Sequence, residues 1–479
     1  MKSALNSGCV LFLGVIACAS AASASEQGAG KAAPPNLMVI IADDLGWDDT
    51  GAYGHPHIRT PNIDRLAKDG LRFDNAFLTC SSCSPSRSSI MTGRYPHATG
   101  AAELHQPLPE SQVLFTTPLR KTGYYAAAAG KWHLGPAVVS QFDLVREGGG
   151  DGGYEHWLPV LRERPKDKPF FFWFAANDPH RGYRPGALSP PHEKSDVVVP
   201  PYLPDNDITR RDLALYYDEI GRLDQNVGQV IEELERQGIA ENTLVLFMSD
   251  NGRPFPRCKT TLYDSGIKTP FIVRWPAVVK PGTVAKGLVS SVDIAPTFVQ
   301  LAGAEPLESF QGESFAAILA DPGSKGRERI FAEHNWHDYL AWKRGVRSDR
   351  YLYVFNGAPE TAMTPPADAV SSITFQEMRR LRDAGQLPPE QMQCFTKPQP
   401  AEELYDLSTD PECFHNLAGD PSHAETLKAM RETLAGWQQR TGDAQPASLS
   451  PDTFDRETGD RLGATKKAKK GGKKQRAAK

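Results

Sequence analysis

Beyond its first two dozen residues the chain has no apolar run long enough to cross a bilayer, which excludes a membrane-spanning helix from the remainder. Cysteine is scarce, with seven in 479 residues, and Cys9 and Cys18 fall in the leader. Cys80, Cys83, Cys258, Cys394 and Cys413 remain, an odd number, so at least one thiol is unpaired. No internal repeat is present, which excludes a solenoid. Acid is missing from residues 466–479, "KKAKKGGKKQRAAK", whose eight Lys and Arg against a net charge of −4 leave about −12 for the rest. This tail also lacks large apolar residues and is expected to be disordered. It suits acidic glycans and anionic surfaces, and no specific nucleic-acid partner is expected.

What is there is ordinary globular material, 40% hydrophobic and 23% charged, and the length allows two or three domains. Residues 1–24 read as a signal peptide: Lys2 supplies the positive end, Cys9 to Ala19 the apolar centre, and Ala22-Ser23-Ala24 the cleavage site. Export to the periplasm or the medium follows. Val15-Ile16-Ala17-Cys18 also resembles a lipoprotein processing site, and only a chain acylated at Cys18 would be held at a membrane. Residues 25–35 form a Gly/Ala/Pro linker.

The stretch "NLMVIIADD" (36–44) is an unbroken apolar run closed by two acids, the pattern of a strand buried on both faces. Similar runs lie at 123–133, 168–180, 242–252 and 269–276, with amphipathic helical patterns between them, most clearly over 209–238. The expected fold class is therefore α/β, a large and mostly parallel sheet sandwiched by helices over residues 36–325. Shorter, half-exposed strands and one helix over 421–440 make a smaller C-terminal α+β subdomain over 326–445. A disordered basic tail is expected over 446–479.

Ligands of open α/β sheets sit beyond the C-terminal strand ends. Four of the apolar runs end there in polar residues: Asp43-Asp44, Lys131-x-His133, Asp178-Pro179-His180 and Asp250-Asn251. Any one such pair is an ordinary turn or cap. Four in one sheet should converge. Asp43, Asp44, Asp250 and Asn251 offer hard oxygen ligands, which suit Ca²⁺ or Mg²⁺ and not zinc. Lys131, His133, His180 and Lys259 surround them with donors fit for an anionic substrate.

A further stretch, "SSCSPSRSSIMTGRYPHATG", places Cys83 just before a helix that Ser84 would cap, Pro85 begin and Gly93 end. A thiol at a helix N-terminus should be acidic and reactive. The plain alternatives are a buried structural cysteine or a disulfide with Cys80.

Together, "CSPSR" with "TGRYPHATG", "IADD", "GKWHLG", "DPH", "SDNG" and "KTTLYDSGIKTPFIVRWP" resemble the signature of the type I, formylglycine-dependent sulfatases, co-linearly over residues 36–440. The resemblance implies an alkaline phosphatase-like fold and a Cys83 oxidised to formylglycine by a separate formylglycine-generating enzyme. It implies Ca²⁺ bound by Asp43, Asp44, Asp250, Asn251 and the modified residue 83, with Arg87 beside the aldehyde hydrate. It further implies that Lys131 and His133 flank the formylglycine, and that His180 and Lys259 face the sulfate and the leaving group. One hydroxyl of the hydrate would attack sulfur, His180 would protonate the leaving atom, and His133 would take the proton that lets sulfate go.

The middle of the chain, "AANDPHRG", "VPPYLPDNDITRRDLALYYDEIGRLDQNVG" and "DNGRPFP", is closest to the sulfamidases, which act on N-sulfated glucosamine. It departs from them at Lys259, where they carry arginine. His334, Trp336, His337 and Asp338 are expected to rim the pocket. The expected substrate is a sulfated carbohydrate, favoured as N-sulfoglucosamine. The alternatives are an O-sulfatase for an algal or host polysaccharide, a phosphoester or phosphonate hydrolase on the same scaffold, and a glycan-binding protein in which Cys83 stays unmodified.

Overall fold

The computed structural model describes residues 33–463; the expected signal peptide, most of the expected linker and residues 464–479 lie outside the described residues. Among the described residues fourteen strands are formed: β1 (Asn36–Ala42), β2 (Leu71–Phe73), β3 (Ala76–Phe77), β4 (Tyr125–Gly130), β5 (Leu144–Glu147), β6 (Phe170–Ala175), β7 (Thr243–Ser249), β8 (Phe271–Arg274), β9 (Thr283–Ala285), β10 (Val289–Ser290), β11 (Ile330–His334), β12 (Lys343–Arg347), β13 (Tyr351–Asn356) and β14 (Glu402–Asp406). Eight of them make one sheet in the order β5-β4-β6-β1-β7-β8-β2-β9. The first five run parallel, with Val39 opposite both Trp173 and Leu246. β8 runs antiparallel between β7 and β2.

Period-two alternation explains why β1 is apolar throughout. Leu37, Val39 and Ile41 point into a core with Met91, Phe115 and Phe298, while Met38, Ile40 and Ala42 face Tyr216, Ile220 and Leu223. The latter belong to the long helix Asp207–Arg236, whose N-cap Asn206 accepts from the backbone of Ile208 and Thr209, both at 3.1 Å. Truncating a ring such as Phe172, fully buried at the sheet centre, would cost about 3–5 kcal/mol.

The second sheet, β11-β12-β13-β14, is antiparallel throughout. Its strands were expected to be half-exposed and are instead almost wholly buried. One face, through Val346, Tyr353 and Leu404, packs on Leu427, Leu434 and Trp437 of the helix Ala424–Thr441, and the other, through Ala332, Leu352 and Val354, joins the main core. A polar clasp adds to this: Glu333 accepts from His97 and faces Arg344, which itself grips Asp443 with two 2.7 Å bonds. The described residues from Pro34 on form one compact unit.

The expected disorder from residue 446 is corrected over 446–463. Phe454 is buried beside Tyr339, Trp336 Nε1 donates to Pro451 O at 2.7 Å, and Leu340 N donates to Asp452 Oδ1 at 2.7 Å. A buried aromatic and satisfied backbone donors give this segment the packing that composition alone did not reveal.

Candidate active site

Asp43 and Asp44 follow β1, and Asp250 and Asn251 follow its neighbour β7. Asp44 turns the chain away from the sheet with a φ of 75°, and its N–H donates to Asp250 Oδ1 at 3.2 Å. Ligand atoms of Asp43, Asp44, Cys83 and Asp250 all lie within 4.8 Å of one another, and Asn251 Nδ2 donates to Asp44 Oδ1. The strand ends converge as their positions predicted.

Cys83 opens the helix Cys83–Thr92, which ends at Gly93 with φ 64°. The expected cap is corrected: extended Ser82, at φ −156°, holds the N-cap position, so Cys83 is the first helical residue and Pro85 the third. Ser84 Oγ accepts from His105 N at 2.8 Å, and Ser82 Oγ bonds His337 Nδ1 at 2.7 Å. The expected acidity is corrected too. Burial pushes the Cys83 thiol well above its ordinary pKa despite Lys259 and Lys131 nearby. Desolvation of a thiolate outweighs the helix terminus here. The disulfide alternative falls as well, since all five described cysteines are free.

The acids are compensated one by one. Arg87, fully buried, reaches Asp250 Oδ2 through Nε at 2.8 Å and Nη2 at 2.7 Å. Lys131 Nζ donates to Asp43 Oδ2, and Lys259 Nζ to Asp44 Oδ2 at 2.8 Å. Burial alone would raise Asp43, but Lys131, His180 and Arg87 hold it well below the usual carboxylate range. Asp250 goes the other way, to about 6, because burial and neighbouring Asp43 outweigh Arg87. Two buried acceptors, Asp43 Oδ1 and Asn251 Oδ1, have no hydrogen-bond partner among the described residues. Unpartnered hard oxygens beside a raised carboxylate make a donor set that fits a divalent cation such as Ca²⁺.

Both histidines have fixed orientations. His180 Nδ1 lies 2.7 Å from Arg181 O, a bond that only an Nδ1–H can make. Nε2 therefore faces the site, 3.8 Å from Asp44 Oδ2. His133, at a left-handed φ of 55°, shares a 2.7 Å bond between its Nε2 and His105 Nδ1, while its own Nδ1 is buried without a partner. Burial, then Lys131 and Arg87, drive its pKa down to about 2.

Two site residues were missed in the sequence. His105 touches His133. Asp368 lies 3.2 Å from Lys259 Nζ and 3.7 Å from His180 Nε2. Burial would raise its carboxyl, but Lys259, His180 and His337 keep it well below the usual range. Of the residues expected on the rim, His334 and His337 are buried, and Asp338 accepts from Ala367 N at 2.8 Å, pinning the turn that carries Asp368. Trp336 is half-buried. A cleft of about 420 Å³ opens over Asp43, Lys131 and His180 and is rimmed by Asn177 and Arg222. Asp178 is bound by Arg222 and Tyr154.

The sheet order and the structural neighbours define an alkaline phosphatase-like fold with a buried acidic cluster at its strand ends. The Sulfatase family model matches residues 35–150 and 153–304, and the model "N-sulphoglucosamine sulphohydrolase, C-terminal" matches 257–360. The chain belongs to the sulfatase family and is a sulfuric ester or sulfamate hydrolase. It is 33% identical to an ulvan-active sulfatase of Formosa agariphila, over 85% of this chain and 75% of that protein. It is 31% identical to human N-sulphoglucosamine sulphohydrolase, over 88% of this chain and 93% of that one. A solved structure in complex with its substrate D-glucosamine-2-N,6-O-disulfate superposes with a TM-score of 0.68 at 20% identity, covering 86% of this chain and 99% of that one, which shows a common fold. Among the described residues no helix is long and apolar enough to cross a membrane.

Proposed function

We propose that the protein removes sulfate from a sulfated sugar, favoured as an N-sulfoglucosamine, at a centre built from Cys83 and the acids around it. The observation that carries this is the convergence of Cys83, Asp43, Asp44 and Asp250 on one buried point bordered by Lys131, Lys259 and His180. Asp43, Asp44, Asp250, Asn251 and residue 83 would hold Ca²⁺, whose fixed charge offsets that of the sulfate. Oxidised to formylglycine by its maturing enzyme, residue 83 supplies a hydrated aldehyde, a nucleophile that can later release sulfate where a serine could not.

The remaining steps would fall to the neighbouring side chains. Arg87 holds Asp250 and lies along the same helix as residue 83. Lys131 and Lys259 bind sulfate oxygens from two sides. His180, with Nδ1–H fixed on Arg181 O, presents Nε2 to protonate the departing nitrogen or oxygen. His133 Nδ1, buried and unpartnered, accepts a proton while its Nε2 is held by His105.

The N-sulfate preference rests on the sulphohydrolase C-terminal match and on the relative that shares almost its full length. Lys259 in place of arginine, and the ulvan-active relative, favour the second reading, an O-sulfatase for a polysaccharide. Export behind the leader, to the periplasm or the medium or to a membrane through Cys18, belongs to the same proposal. Matured protein should be offered glucosamine N-sulfate, ulvan fragments and a phosphate monoester. Sulfate release from the first supports the favoured reading, and release from the second alone supports the other. Phosphate release without sulfate release would overturn both.

A further inference from the structure

Lys259 has two acids where burial requires one. Its Nζ is 2.8 Å from Asp44 Oδ2 and 3.2 Å from Asp368 Oδ2. Asp44 is fully buried at 0% side-chain exposure and belongs to the group fit for a cation, whereas Asp368 is 23% exposed. Asp368 is also 3.7 Å from His180 Nε2, the atom that faces the leaving group.

The carboxylate is held in place by a short, purpose-shaped turn. Ala367–Val370 is anchored by the fully buried Ala369 and Val370, and Asp338 Oδ2 accepts from Ala367 N at 2.8 Å. Asp368 Oδ1 accepts from Ala369 N at 2.7 Å, which leaves Oδ2 directed at Lys259 and His180. The residue lies beyond residue 360, where the family-model matches end.

We propose that Asp368 is a specificity-determining residue: its Oδ2 accepts a hydrogen bond from an N–H or O–H of the departing sugar and turns away sugars carrying a second anion next to the scissile sulfate. The proposal rests on the reading of the site as a sulfated-sugar hydrolase. A fixed carboxylate beside the proton donor can accept from a neutral neighbour but repels a sulfate in the same place, and the low dielectric around a largely buried group strengthens that repulsion.

The test uses full-length Cys83→Ala protein with Ca²⁺, which should bind sugar without turning it over. Calorimetry would compare glucosamine N-sulfate with the same sugar also sulfated at O3, the neighbouring position, for Asp368 and for Asp368→Asn. The parent should prefer the singly sulfated sugar by about tenfold or more, and Asp368→Asn should shrink that to under about threefold, chiefly by gaining affinity for the disulfated one. Asp368→Glu, which keeps the charge, should keep a preference and serves if the amide variant does not fold. An unchanged ratio, or an equal loss for both sugars, would overturn the proposal and leave Asp368 as a structural partner of Lys259. If matured enzyme still released sulfate, only the role of Asp368 would fall. If no sugar bound and no sulfate were released, the reading of the site would fall with it.

Discussion

Arg87 holds a single carboxylate oxygen of Asp250 in two contacts, Nε at 2.8 Å and Nη2 at 2.7 Å, with both side chains fully buried. This leaves Asp250 Oδ1 to accept from Asp44 N, so one acid ties the helix Cys83–Thr92 to the end of β1. Removing either partner strands a buried charge, which costs about 3–5 kcal/mol. Asp250→Ala should abolish sulfate release and lower Ca²⁺ content measured by mass spectrometry of the metal. Arg87→Met should destabilise by a comparable amount. The double variant should lose less than the sum, and strict additivity in denaturant melts would show that the pair is not coupled. Chelation should also remove activity in the unaltered protein, and Ca²⁺ should restore it.

Cys83 and Cys80 are both buried free thiols, three residues apart. Cys83→Ala should eliminate turnover, since Asp44 Oδ1 at 3.8 Å and the helix start place residue 83 at the centre. Cys80→Ala should keep most activity, because Cys80 Sγ donates to Ser82 O at 3.8 Å and lies outside the Asp43, Asp44, Cys83 and Asp250 group. Peptide mass spectrometry of active protein should find aldehyde in place of thiol at residue 83. Full activity in protein that retains the Cys83 thiol would sink the aldehyde mechanism.

Asp338 gives a pH signature away from the Asp43, Asp44 and Asp250 cluster. Burial raises its carboxyl to about 7, with the bond from Ala367 N working against that rise. Unfolded, the group returns to about 3.9. Between those values the folded state holds a proton that the unfolded state releases, so stability falls as pH climbs toward 7 and levels off above it. Asp338→Asn keeps an acceptor for Ala367 and removes this titration. The melting temperature of the variant relative to the parent should therefore be higher at pH 8 than at pH 5. A difference that does not change with pH would mean that Asp338 is ionised throughout.

The framework of the site was legible because it obeys local rules. Continuous apolar runs mark strands buried on both faces, and the residues after them must lie at one edge of a parallel sheet, which placed Asp43, Asp44, Lys131, His180, Asp250 and Asn251 together. Asp368 carries no such signal. It sits in "PPADAVSS", with no period and no strand before it, 109 residues from the lysine it meets. Only tertiary packing brings it there. The thiol of Cys83 shows the opposite limit, since helix position argued for acidity and burial, invisible in sequence, decided against it. The half-exposed look of β11–β14 failed for the same reason, as polar Glu333, Arg344 and Lys343 are buried with partners.

His180 supplies the sharpest test of how the leaving group departs. Its Nδ1–H is fixed on Arg181 O, so Nε2 alone can deliver a proton, and it lies 3.8 Å from Asp44 Oδ2 and 3.7 Å from Asp368 Oδ2. An amide anion or alkoxide leaving sulfur is a strong base and must be protonated to the amine or alcohol as it goes, whereas a nitrophenolate is a weak base and need not be. General acid catalysis contributes about 10²–10⁴-fold where it is needed. His180→Ala should therefore cut kcat on glucosamine N-sulfate or an alkyl sulfate by about that factor while costing nitrophenyl sulfate roughly tenfold or less. His180→Gln should behave like alanine, because it can donate a hydrogen bond but not a proton. Equal losses on the two classes of substrate would remove His180 as the acid and assign it to binding. A loss confined to KM on both would do the same, since an interaction made only as the bond breaks must appear in kcat.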